Sequence, residues 1–581
     1  MPIETNQMND ERSYKLNRLL FRRLYDLSLP YWTRNEAWKS WLIVIMLLFS
    51  SAAIGIIGGY VSYLVADYTN ALVDKNASIY WSLMIWTTFV VFMRILLSSV
   101  TGFFSSWIVL NWRQWMTEQI TQSYMRNRTY YEIEQSKFID NPDQRIQDEV
   151  ANVCQTIVGL PQFVISSLTN IAVQASIILN VSTGLFWFIL IYAIVNTFVT
   201  IWIYNPTIKL NWAVTVAKAN MRTKLMAVRD HAETIAFYRG ERSERLHLNQ
   251  RLKDVMQAKL KLMFYNNINM SAVNEVLSLI FNLLPILFVV PLYLQGHISY
   301  GSIGQVTAAA STVLSGLSVI SQLIPTATSV MPSAMRLAEI QEKSLALSQE
   351  NTNTNRIHYI EGDHIELNQI NAETPNGEQQ LVKDLTMKIL PGHHTVIVGQ
   401  TGVGKSSLLR VISGLWNRGQ GEVVLPHWRQ LMFIPQQPYM HLADLRSQLL
   451  YPTPSNTGSF DDADIQEAFT LLGHPNFLAK HGGLDCIKDW RKVLSLGEQQ
   501  LIAFTRIVLR KPRYVFLDEA TSAMDVENEK HVYKVLKQLD ITFVSVGHRE
   551  TLLRFHNQKL HLLPDSKWQL TQQTTLFNAM H

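Results

Sequence analysis

The stretch "HTVIVGQTGVGKSSLLRVISGLW" (394–416) decides the architecture of half the chain. After His394 it runs Thr-Val-Ile-Val, four β-branched residues of which three are apolar, as a buried strand requires. Its last ten show the spacing of an amphipathic helix. Between them lies "GQTGVGKS" (399–406), which matches G-x-x-x-x-G-K-S in the strand–loop–helix setting that makes the pattern meaningful. Glycines let successive backbone N–H groups wrap a phosphate, so Gly399, Gln400, Thr401, Gly402, Val403 and Gly404 form the expected cradle. Lys405 is expected to neutralise the outer phosphates. The Ser406 hydroxyl is placed to bind Mg²⁺, with Ser407 next to it in the first turn.

Working outward, two further runs read as buried parallel strands, "YVFLDE" (514–519) and "ITFVSVGH" (541–548). Chemistry-bearing residues stand at their carboxyl ends, where ligands of parallel α/β sheets bind. Asp518 is placed to hold Mg²⁺, Glu519 to polarise an attacking water, and His548 to reach a γ-phosphate. "MFIPQQPYM" (432–440) offers Gln436 just after a strand as a sensor of Mg²⁺ or of that water. Taken singly, His548 reads as a packed loop histidine and Gln436 as a weak signal.

"LSLGEQQ" (494–500) reads in two ways. Ser495 and Glu498 have the S-x-x-E spacing of a capping box. Ser495, the Gly497 N–H and the helix start behind them also make an anion site. Leu496 keeps its own N–H, so it adds bulk without removing a donor. Glu498 sets a carboxylate beside an expected phosphate. It either opposes closure or points back at the cap.

The other half of the chain is apolar. Six candidate membrane spans fall at 41–66, 82–110, 157–179, 183–204, 272–294 and 303–330. The connections between spans one and two, three and four, and five and six are nearly free of Lys and Arg. The segment before span one and the connections 111–156 and 205–265 are rich in both. The positive-inside rule therefore places both termini and both long connections in the cytoplasm. Span one begins too far in, and is too long, for a cleaved signal peptide. The segment before it mixes Leu and Phe with Arg, as an interfacial helix on anionic lipid does; the alternative is a helix packed on its own domain. Arg94 and Glu275 lie within spans and are expected to face protein or water. Ser311, Ser315, Ser318, Gln322, Thr326, Ser329 and Ser333 form one helical stripe, either an aqueous path or a close helix interface. The polar stretch "ALSQENTNTNRIHY" (346–359) reads as a linker. The expected domains are an N-terminal elbow (1–39), a membrane domain (40–344), a linker (345–358) and an α/β P-loop ATPase domain (359–581). The formal net charge of +5 gives no support to nucleic-acid binding, and two cysteines exclude a disulfide framework.

The order of 399–406, Gln436, "LSLGE", "LDE", "SAMD" (522–525) and His548 resembles that of ABC-transporter ATPase domains. The membrane half resembles the six-span ABC-exporter type. "NPDQRI", "AETIAFYRGE", "FIPQQPYM" and "DWRKVLSLGEQQ" are similar to peroxisomal-type ABCD transporters and to their bacterial relatives with SbmA/BacA-like membrane domains. The resemblance implies ATP and Mg²⁺ as cofactors and a homodimer with twelve spans. It implies ATP sites that join Lys405 of one copy to Ser495 of the other, and coupling elements near Asn141–Ile146 and Glu233–Gly240. It implies alternating-access transport of a peptide or antibiotic, a fatty acid or acyl-CoA, or a corrinoid. A heterodimeric half and an ATP-gated regulator that moves no cargo are the alternatives. The compact chain favours a bacterial inner membrane over a peroxisome. Where many exporters stack adenine on an aromatic ring, "NAETPNGEQ" (371–379) has none.

Overall fold

The computed structural model describes residues 18–136, 139, 142–317, 319–349, 356–453, 460–547 and 549–572. Contacts divide the chain into two compact units, Met1–Gln349 and Glu350–His581.

The first unit is helical. Its main helices are Arg18–Thr33, Ala37–Val73, Ala77–Met125, Val150–Val181, Thr183–Asp230, Glu241–Phe264, Ser271–Leu294, Tyr300–Leu317 and Val319–Gln349. Asn76 and Ser182 cap two of them by accepting the N–H of Ile79 and Leu185. Among the described residues, four helices are long and apolar enough to cross a membrane. Ala77–Met125 has 49 residues, about 74 Å at the α-helical rise, and so runs well past a hydrocarbon layer about 30 Å thick.

Leu27 and Tyr31 of the first helix are buried in one core with Leu47, Ile108, Trp112 and Ala334. Tyr31 stacks on Trp112 at 5.3 Å between ring centres and donates to Asn111 Oδ1 at 3.0 Å. This helix therefore packs on its own unit, the second of its two readings, while Arg22 and Tyr25 face outward. Three ion pairs fasten the last helix, Val319–Gln349: Arg336 with Glu149 at 3.0 Å, Arg145 with Glu339 at 3.0 Å, and Arg23 with Glu342 at 2.7 Å. Arg145 belongs to one expected coupling element, whose Asn141 lies outside the described residues. The other turns at Phe237 and Tyr238, which are 79% and 82% exposed. The Arg94 guanidinium carbon lies 3.4 Å from where a Cβ on Gly58 would sit, so it faces span one, whereas Glu275 is exposed on this chain. Of the polar stripe, Ser311 and Ser315 are exposed and Ser333 is buried; Ser318 and the side chains of Gln322, Thr326 and Ser329 lie outside the described residues.

Among its described residues the second unit carries twelve strands: β1 (His358–Glu361), β2 (Ile365–Glu373), β3 (Gln380–Ile389), β4 (Thr395–Gly399), β5 (Gly419–Leu425), β6 (Leu431–Ile434), β7 (Ala443–Asp444), β8 (Ile487–Lys488), β9 (Tyr514–Asp518), β10 (Thr542–Val546), β11 (Gln558–Leu562) and β12 (Trp568–Gln572). A six-stranded sheet runs β12-β11-β4-β10-β9-β6, parallel except for β12. Its central strands read as near-continuous apolar runs because both faces are covered. One face holds Leu408, Val411 and Ile412 of the helix after β4. The other holds Ile502, Phe504 and Ile507 of the helix Leu496–Arg510. A second sheet, β1-β5-β2-β3, flanks the first.

Candidate functional site

The parallel register brings the carboxyl ends of β4, β9 and β10 to one edge, with Val546 beside Ile397 on one side and Asp518 on the other. The chain leaves β4 at Gly399, loops, and enters the helix Lys405–Ile412 at Gly404. Gly404 has φ +102°, a left-handed conformation that glycine adopts without steric cost.

Lys405 is buried, and its ammonium donates to the carbonyls of Gly399 at 3.0 Å and Gln400 at 2.9 Å. The loop thus holds its cation over its own curve. Burial lowers the Lys405 pKa, against the opposing pull of Glu519 and Asp518. Gln400, Thr401 and Gly402 are exposed along the loop, while Val403 and Ser407 are half-buried. The Ser406 hydroxyl donates to Asp518 Oδ1 at 2.7 Å. Two hard oxygen donors at that spacing fit a shared Mg²⁺. Gln436 Nε2 donates to Glu519 Oε2 at 3.0 Å. Glu519 has φ +50°, uncommon for a non-glycine residue, and its N–H is fixed on Val546 O at 3.1 Å. Lys405, Ser406, Gln436, Asp518 and Glu519 therefore form one cluster. His548 lies outside the described residues.

Two residues that motif reading missed brace the segments beside this cluster. Gln500 is fully buried; its amide donates to Gln436 O at 3.2 Å and Ser522 Oγ at 3.3 Å, and its oxygen accepts Ala523 N–H at 3.2 Å. Glu529, also fully buried, accepts from Thr521 at 2.9 Å, Thr551 at 2.8 Å and Arg549 at 3.3 Å. Its place four residues after Asp525, a helix N-cap, was the only sequence cue.

Ser495 caps the helix Leu496–Arg510 in a complete capping box: Ser495 Oγ accepts Glu498 N–H at 3.3 Å, and Glu498 Oε2 accepts Ser495 N–H at 3.0 Å. The other carboxylate oxygen takes Lys480 Nζ at 2.7 Å and lies 3.3 Å from His481 Nε2. Partial burial raises the Glu498 pKa, but Lys480 and the Ser495 donors outweigh it and hold the group down at about 2. Of its two readings, Glu498 takes the one that points back at the cap. Ser495, Gly497 and Glu498 line a cavity of about 450 Å³ with His474, Lys480 and Asp525. None of the described residues lining it belongs to the loop 399–407.

A membrane-helical unit joined to a parallel-sheet domain with this glycine-rich loop, this Asp–Glu strand end and a capped helix start at Ser495 defines an ATP-driven transporter. Residues 26–294 match the family described as ABC transporter transmembrane region 2, and residues 382–522 match the family described as ABC transporter. An uncharacterised ABC transporter ATP-binding protein of Synechocystis is 34% identical over 92% of this chain and 82% of its own length. The mouse lysosomal cobalamin transporter ABCD4 is 30% identical over 95% of this chain and 96% of its own. ABC transporter D family member 2, chloroplastic, of Arabidopsis thaliana is 28% identical over 94% and 86%. The chain belongs to the ABC transporter family, to its ABCD type, and is an ATP-hydrolysing half-transporter embedded in the membrane.

Proposed function

We propose that two copies of this chain form a homodimer of twelve spans that moves a corrinoid or a lipid-like cargo across a bacterial inner membrane. Both termini and both long connections lie in the cytoplasm in this reading. Each ATP site joins the 399–407 loop of one copy to Ser495 and Gly497 of the other. The observation that carries it is the separation of the two anion sites within one chain: the described cavity beside Ser495 contains no phosphate-loop residue. ATP supplies the bond that is cleaved and the charge that draws the ATPase domains together. Mg²⁺ is held by Ser406 and Asp518, Lys405 neutralises the outer phosphates, and Glu519 with Gln436 orients the attacking water. Closure and reset alternate two states of the spans. The corrinoid half of the cargo class rests on full-length likeness to a cobalamin transporter; the lipid half rests on likeness to ABCD-type transporters more broadly.

Mixed dimers test the shared sites. One copy carrying Lys405→Ala and one carrying Ser495→Arg leave one intact composite site, so the pair should turn over ATP where either homodimer does not. A silent pair would overturn the arrangement. Cargo is tested by ATP turnover in lipid nanodiscs challenged with cobalamin, long-chain acyl-CoA and a cationic peptide, with Glu519→Gln as the blank. Stimulation by the peptide alone would move the cargo to the third class. Indifference to all three would favour an ATP-gated regulator.

A further inference from the structure

The triphosphate has an evident cradle, but the sequence offers no ring for the base. Gly404 borders β3: a Cβ on it would meet Leu381 Cδ2 at 3.2 Å. Four residues before Leu381 is Gly377, in the turn that closes with Thr374 N–H on Gln379 O at 2.9 Å and Gly377 N–H on Thr374 O at 2.8 Å. That turn leads directly into β3, the strand whose Leu381 borders the cradle at Gly404.

Arg418, the residue before β5, reaches over it. Arg418 Nε donates to Glu373 Oε2 at 3.0 Å and Nη1 to Pro375 O at 3.3 Å. A Cβ on Gly377 would fall 2.2 Å from Nη2, 2.4 Å from Cζ and 2.9 Å from Nε. Three guanidinium atoms at such similar distances mean the plane lies flat on the glycine. Gly377 has φ +74°, so both the space and the backbone demand glycine. The side chain is nevertheless 46% exposed, so the guanidinium is pinned along its edge and covered on one face, with surface left open. Nucleic-acid bases stack on guanidinium planes held in this way. The polar groups of the turn are spent on each other: Thr374 Oγ1 donates to Asn376 Oδ1 at 2.6 Å, and Asn376 Nδ2 to Glu378 Oε2 at 2.6 Å.

We propose that the Arg418 guanidinium, held flat on the Thr374–Gly377 turn, is the surface on which the base of the bound nucleoside triphosphate stacks. A flat cation reads the π-face of a base and not its edge. The subsite therefore favours purines over pyrimidines by stacking area and separates adenine from guanine weakly. This rests on the triphosphate occupying 399–406.

The test is steady-state turnover of ATP, GTP and UTP by the full chain in nanodiscs. Arg418→Leu should raise KM for ATP and GTP about tenfold and for UTP about threefold or less, with kcat within about twofold, since stacking of one base is worth about 1–3 kcal/mol. Arg418→Lys keeps the charge and the reach to Glu373 but loses the plane, and should behave like Arg418→Leu. Arg418→Trp should restore purine KM. Equal rises for all three nucleotides, or an Arg418→Lys enzyme with unchanged KM, would overturn the proposal. So would a wild-type preference for ATP over GTP beyond about tenfold, a discrimination that stacking alone does not supply. Lys405→Ala separates the two layers: if it leaves turnover of all three intact, the triphosphate placement fails and the platform with it, whereas unchanged KM in the Arg418 variants beside an inactive Lys405→Ala overturns the platform alone.

Discussion

Glu498 and Glu519 are each the last acid of a short motif, and their surroundings differ sharply. Glu498 sits in a closed set of partners, the Ser495 cap, Lys480 and His481, which hold its pKa at about 2. Glu519 sits at a strand end in a left-handed conformation, accepts from the uncharged amide of Gln436, and pulls on the buried ammonium of Lys405. A carboxylate that must stand near phosphate without repelling it needs its charge compensated locally. One that must draw on a water's proton needs its charge left effective. The same side chain is held by a helix cap and an ion pair in one place and by an amide beside a buried lysine in the other.

The sharpest way to break that contrast is to exchange charge for shape. Glu519→Gln should lower ATP turnover about a hundredfold or more while retaining ATP binding, because only the charged form can act on water. Phosphate release in nanodiscs measures the first and nucleotide photolabelling the second. Glu498→Gln should instead cost turnover less than about tenfold. Its loss should appear as slightly lower thermal stability of the ATPase domain: Gln can still complete the capping box but gives up the ion pair with Lys480, worth about 1 kcal/mol or less. If Glu498→Gln proves as inactive as Glu519→Gln, the closed set of partners is not its role.

The contrast was only half legible in the sequence. The phosphate loop, Asp518 and Glu519 are local patterns: each needs a strand, a turn and a few residues, and the apolar runs announce the strands. The capping box at Ser495 and Glu498 was visible for the same reason. What decided between its two readings was not. Lys480 and His481 lie 18 and 17 residues upstream, on a short helix, Phe477–His481, that no periodicity marks. Gln500 and Glu529 are polar residues in helices, ordinary on a surface, and only the fold shows them fully buried, Gln500 bonded to Gln436, Ser522 and Ala523 and Glu529 to Thr521, Thr551 and Arg549. Arg418 escaped for the opposite reason. It is an exposed arginine whose meaning comes from the flat seat that Gly377 gives it.

Acid should separate the two kinds of buried charge. His394 and His556 are driven down by burial, to about 4 and about 3 from an ordinary 6.5. They stay neutral in the fold while the unfolded chain takes up protons below about 6.5, so stability is lost from there downward. The slope is at most about 1.4 kcal/mol per pH unit for each histidine. Glu498 contributes fully above its ordinary 4.5, and that contribution is lost as pH falls toward about 2. Melting curves of the full chain between pH 7.5 and 3.5 should therefore weaken from about 6.5 downward and more steeply below about 4.5, where the Glu498 loss adds to that of the histidines. Glu498→Gln should remove only the added steepness.

The smallest effect is expected at Leu496, and it is informative for that reason. Leu496 is the first residue of its helix and 40% exposed, and it brings no polar group to the site. Leu496→Gly preserves the N–H and the cap, so turnover should change less than about twofold, with at most about 1 kcal/mol of helix stability lost to backbone entropy. One residue on, the constraint is different: a Cβ on Gly497 would stand 3.1 Å from Ala523 O. Gly497→Ala must push the helix start away from the 522–525 segment, which Gln500 holds against Gln436. It should therefore impair turnover several-fold more than Leu496→Gly in the same phosphate-release measurement. If instead Leu496→Gly is the more damaging, the leucine side chain makes a contact of its own across the composite site, and the glycine's close approach to Ala523 is tolerant.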